Sequence, residues 1–199
     1  DTAALTGSHT ITYDGGGTLA ATISGMGSIV FTNGGTYAFT GTANTFTGSV
    51  TVVGGTLEIG DGNDGAFGDP SNYVTLSGGV TCDDNWNPAA GRTVTIGAGG
   101  FDAADNSGPT LTFDDADQLQ GNGLFTFRTT SYGATMTISA GQPNFGGGFY
   151  IDGIQRRNCH LNATAAESMG TGAATVRDSS TISYVWGAQK PVGGVATGI

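Results

Sequence analysis

Charge is scarce in these 199 residues: Asp, Glu, Lys and Arg together make up 11%, against a usual ~25%. Six residues are basic and sixteen acidic, fourteen of them Asp, and the net charge is −10. Such a surface repels phosphate backbones and anionic lipid headgroups, so nucleic acid is not an expected partner. Few charges together with 37% hydrophobic residues also argue against an acidic disordered chain. Proline numbers five and the glycines show no period of three, which excludes collagen. No apolar run reaches the ~18 residues of a membrane helix, so this segment is not expected to insert into a bilayer. No signal peptide opens the chain, which begins "DTAALTG".

Helix signals are equally sparse. The best candidate, "NATAAESMGTGAA" (162–174), is rich in Ala but broken by glycines, so at most a turn or two is expected there. What the chain has in quantity is glycine, 37 residues, and a hydrophobic period of two. Val50 and Val52, Leu57 and Ile59, Val74 and Leu76, Leu111 and Phe113, and Met136 and Ile138 carry that period. Alternation over strands of 4–6 residues, punctuated by Gly/Asn/Asp/Ser turns, predicts an all-β chain.

A shift of 96 to 102 residues brings the two halves into correspondence. "ISGMGSIVF" (23–31) then falls on "LQGNGLFTF" (119–127), and Phe46 and Gly48 fall on Phe145 and Gly147. Trp86 likewise lies 100 residues before Trp186. This predicts one segment, 1–199, with internal units of about 1–96 and 97–199, drawn from a longer tandem array.

The stretch "SGMGSIVFTNGGTYAFTGTANTFTGSVTVVGGTLEIGDGNDGAFG" (24–68) resembles the passenger-associated transport repeat of bacterial autotransporters. Asn44 to Gly48 stand for that family's NTYTG core, with Phe for Tyr, and Gly54 to Gly60 match its GGTLxLG close. The second copy keeps the Phe and glycines and loses GGTL. The resemblance implies a right-handed parallel β-helix on an exported or surface-exposed protein, and it implies no catalytic residues.

The residues alone support the same winding. Inward Val, Leu, Ile and Phe would stack on their counterparts one coil away, outward Thr would face solvent, and glycine would take the corners. At roughly 20–25 residues per coil the chain would make about 8–10 coils, a rod on the order of 40–50 Å. Open sheet ends would favour self-association or neighbouring repeats of the same chain.

Candidate sites are few. "DGNDG" (61–65) offers Asp61, Asn63 and Asp64 as candidate Ca²⁺ ligands, but it lacks the spaced ligands and closing Glu of an EF-hand. The acidic turn Asp114–Asp117 is a second candidate. Surface turns made of Asp and Asn are the plainer reading of both. Trp86 and Trp186 are candidate sugar-stacking platforms, against a structural role plugging coil corners. Cys82 and Cys159, 77 residues apart, read as two separate thiols, because coils several rungs apart exceed the ~7 Å reach of a disulfide. His160 directly follows Cys159 and would point to the opposite face, unsuited to activating it. Two distant histidines make no zinc site.

A polyuronate lyase would need a base and usually Ca²⁺. The only basic pair, Arg156–Arg157, reads more simply as a solvated surface pair. The leading expectation is therefore a non-catalytic extracellular structural or display element, part of a surface fibre or filament. An adhesin passenger binding host or carbohydrate surfaces is the alternative, and a glycan-active enzyme the second alternative.

Overall fold

A computed structural model describes residues 2–20, 22–39, 41, 43–59, 64–82, 85–105, 110–129, 133–153, 158–178 and 180–184. The first coils contain β1 (Thr2–Asp14), β2 (Gly17–Leu19), β3 (Thr22–Thr32), β4 (Thr36–Phe39) and β5 (Val50–Glu58). A 3-10 turn over Asp64–Phe67 follows, then β6 (Val74–Cys82), β7 (Val94–Ile96), β8 (Phe101–Asp105) and β9 (Thr110–Phe113). The last coils contain β10 (Leu119–Gly121), β11 (Phe125–Thr129), β12 (Ala134–Ile138), β13 (Phe149–Gly153), β14 (Cys159–Ala163), β15 (Ala174–Asp178) and β16 (Thr181–Tyr184).

Every strand pairing is parallel, and each joins one coil to the next. The chain is thus a β-solenoid with three sides, of about six turns. That is fewer than the eight to ten expected, although the rungs of side one from Val50 through Val74 and Val94 to Leu119 do recur every 20 to 25 residues.

On side one, the register runs Ile11, Ile29, Val50, Val74, Val94, Leu119. On side two it runs Tyr37, Leu57, Cys82, Ala103, Phe127, Ile151, Val176. Side three stacks Leu111, Met136, Leu161 and Ile182, entered from Trp86 through an isolated bridge to Leu111. Apolar side chains thereby meet their own kind one rung away. Phe101, Phe125 and Phe149 stack with centroids 5.1 and 5.7 Å apart, contacts worth about 0.5–1.5 kcal/mol each beyond burial.

Two corners hold the coils in register. Between sides one and two runs a glycine column, from Gly16 and Gly35 through Gly55, Gly78 and Gly99 to Gly123 and Gly147. Here successive coils approach backbone to backbone. A Cβ on Gly99 would lie 2.7 Å from Gly78 Cα, and Gly99 also has φ +93°, a region L-residues avoid. The corner entering side one is built oppositely, from the buried polar side chains Asn72, Arg92, Gln118 and Gln142. Gln142 accepts from Leu119 N–H at 2.7 Å and donates to the Asp115 carbonyl at 2.9 Å. Asn72 accepts from Gly48 N–H at 2.7 Å and donates to Phe46 and Phe67 carbonyls at 2.9 and 2.8 Å. These amides satisfy backbone groups that turn away from the sheet ladders and would otherwise be buried without partners.

Candidate functional site

Asp64 and Trp86, read from the sequence as a metal ligand and a sugar platform, meet inside the coil. Asp64 sits on the 3-10 turn, and its Oδ1 accepts from Trp86 Nε1 at 3.0 Å. Arg92 Nε donates to both Asp64 oxygens, at 2.8 and 2.9 Å. The guanidinium continues to the carbonyls of Gly68 (3.1 Å), Asn72 (3.3 Å) and Phe67 (3.4 Å). Its carbon lies 5.6 Å from the Phe67 ring centroid. Trp86 is 1% exposed and packs on Phe67. It presents no open face for a sugar and takes the structural role of filling the coil. Asp64 is neutralised by Arg92 rather than left open for a cation. Asp61 and Asn63 lie outside the described residues, as do Trp186, Arg156 and Arg157.

The other acidic turn is also engaged in coil-to-coil bonds. Asp115 accepts from Gly91 N–H at 2.8 Å and Asp117 from the Asn144 amide at 3.0 Å. Among the described residues no group of three or more His, Cys, Asp or Glu side chains converges. Cys159 is a buried free thiol. Burial pushes its pKa up to about 11, the opposite of what a nucleophile needs. His160, the next residue, faces outward to Thr181 Oγ1 at 2.5 Å. The side chain of Cys82 lies outside what is described.

With these buried polar clusters engaged in structure, the outward side chains become the candidate functional surface, and they segregate by charge. Side two carries Glu58, Asp102, Arg128, Asp152 and Arg177 on its outward positions. Arg128 pairs with Asp102. Burial raises the Asp102 pKa, and the Arg128 charge opposes that shift. Arg177 donates to the Tyr150 hydroxyl at 2.9 Å, and that hydroxyl donates to Asp152 at 3.3 Å.

Side three is different. Its outward positions form two columns: Thr110, Thr135, His160, Thr181 and Thr112, Thr137, Asn162, Ser183. Asn85 extends the first column and accepts from Thr110 N–H at 2.5 Å. Neither column carries a carboxylate, Lys or Arg, on a chain whose net charge is −10. Side one also presents threonines, Thr51, Thr75 and Thr95 in register, but Tyr73 rises beside them, 63% exposed. The columns of side three were legible as the triplets "TLT" (110–112), "TMT" (135–137) and "TIS" (181–183). In sequence, outward Thr looks like generic solvated strand surface, and only the strand register lines these triplets up.

No family model, curated protein or solved structure matches this chain. No helix among the described residues is long and apolar enough to cross a membrane.

Proposed function

We propose that the chain is a non-catalytic structural solenoid, a stiff extracellular element that holds flat outward surfaces at fixed spacing. The observation that carries this reading is that the polar side chains of Asp64, Trp86, Arg92, Asn72 and Gln142 bond to one another or to coil backbone and so hold rungs together. The autotransporter-repeat resemblance of residues 24–68 and the low Lys content support an exported or cell-surface setting. Self-association with neighbouring repeats, into a fibre or filament, fits the same role.

Negative-stain electron microscopy of the purified chain tests it, with the expected result of short rods joining end to end or side by side. Assays for polyuronate cleavage, with and without Ca²⁺, should give no turnover. Reproducible cleavage abolished by an Arg156→Ala/Arg157→Ala variant would overturn the reading in favour of a glycan-active enzyme. The adhesin reading is favoured by one observation, the regular outward columns of side three without Asp, Glu, Lys or Arg, which offer a surface without competing salt links.

A further inference from the structure

We propose that side three is an ice-binding face, its threonine hydroxyls and methyls ordering a layer of water that joins an ice lattice. This builds on the display reading above and assigns the displayed surface a ligand.

The lattice of the face is the first argument. Parallel rungs repeat every ~4.8 Å, and positions i and i+2 along a strand are separated by roughly 6.6 Å. Thr110, Thr112, Thr135 and Thr137 therefore mark a two-dimensional net. Thr181 and Ser183 continue it one rung beyond His160 and Asn162. Both repeats lie near those of oxygen rows on the faces of hexagonal ice. A ligand that is itself periodic in two directions is the kind such a net can match at many points at once.

Charge is the second argument. Ice excludes ions, so a charged group on the contact surface would have to keep its hydration shell and hold the lattice off. Side three carries no Asp, Glu, Lys or Arg in its columns, while side two carries Asp102, Arg128, Asp152 and Arg177. Asp114, Asp115 and Asp117 follow β9 in the corner and not in the strand.

Rigidity is the third. The register of β9, β12, β14 and β16 has no bulge, and Leu111, Met136 and Leu161 beneath it are fully buried. Thr is stiff at χ1, so the net is formed before the ligand arrives and little ordering entropy opposes binding. A crystalline polysaccharide would also be periodic, but its sugars are held by exposed aromatic rings, and among the described side chains of this side the rings of Trp86 and Phe113 are both buried.

The test is microscopy of single ice crystals in the purified full chain, held just below the melting point in a nanolitre osmometer. The expected result is faceted crystals whose growth stops over a measurable interval of supercooling. Thr135→Lys and Thr110→Tyr, exposed positions whose variants should melt at the wild-type midpoint, are expected to lose the faceting. Thr75→Lys on side one should keep it. Rounded crystals growing freely in wild-type protein would overturn the proposal, as would equal loss in Thr75→Lys. Co-sedimentation with microcrystalline cellulose or chitin, without an effect on ice, would overturn it in favour of a polysaccharide. None of these outcomes bears on whether the chain forms rods, which the imaging experiment reads separately.

Discussion

Arg92 grips Asp64 through Nε at 2.8 and 2.9 Å while its side chain is 0% exposed and that of Asp64 12%. Twenty-eight residues separate the two, so the pair pins one coil to the next. Breaking a buried pair from one side strands the remaining charge, a loss of about 3–5 kcal/mol. Arg92→Ala should therefore lower the urea midpoint sharply, more than Asp64→Asn, because it also deprives the carbonyls of Phe67, Gly68 and Asn72 of a donor. The double variant Asp64→Leu/Arg92→Met should cost less than the sum of the two single losses. EGTA should leave the thermal midpoint of the wild type unchanged.

Gly99 and Gly91 both have positive φ, +93° and +83°, but only at Gly99 would a Cβ meet another coil. Alanine at either site carries the left-handed penalty of about 1–2 kcal/mol. Gly99→Ala should lose a further ~1–3 kcal/mol from the clash with Gly78 and Gly79. Equal denaturation midpoints for the two variants would show that the glycine column is not a close-packed corner.

Gln142 serves Leu119 N–H, and the Asp115 and Ala140 carbonyls, from a fully buried position. Gln142→Leu orphans all three, at about 1–3 kcal/mol per unsatisfied group. Gln142→Glu keeps the shape but buries a carboxylate facing two carbonyls. Its folded-state pKa should be raised, so its stability should recover as pH falls and the side chain regains a donor. Urea titrations at neutral and acid pH would read both effects.

Cys159 has its pKa raised from 9.0 to about 11, mainly by burial. The unfolded chain thus loses its thiol proton at lower pH than the folded one. A group of this kind withdraws stability as pH climbs from about the unfolded value, and the withdrawal is complete above the folded value. Between pH 9 and about 11 the wild type should lose more stability than Cys159→Ala. At pH 8 the thiol should resist alkylation until the chain is unfolded, which mass spectrometry can follow.

The winding was legible because a period of two, repeated with glycine punctuation, has few other solutions. Val50, Val74 and Val94 announce one ladder by themselves, and the free, buried Cys159 agrees with the reading of separate thiols. The ~100-residue correspondence captured local contacts: Gly48 lies over the Gly27 carbonyl as Gly147 lies over that of Gly123. Those two contacts stand at different corners, Gly147 in the glycine column and Gly48 bonded to Asn72. The shorter period that runs through "GGG" (15–17), "GG" (34–35), "GG" (54–55), "GG" (78–79) and "GG" (99–100) marks the coils directly. What the sequence could not show was the partner of Asp64. A carboxylate in an Asp/Gly/Asn turn looks like a surface or metal group until the fold brings Trp86 and Arg92 to it from the connection between β6 and β7. The same holds for Trp86, whose ring gives no sign in sequence of which way the corner turns it.

Because every rung rests only on the one below and the one above, the molecule is modular in units of a single turn. Phe101, Phe125 and Phe149 recur every 24 residues, so excising one such length would bring like side chains back over like, as removing one tread shortens a spiral staircase without changing its pitch. Lineages can therefore lengthen or shorten this chain by whole turns while keeping the seams intact, and the span between whatever it joins becomes an adjustable dimension.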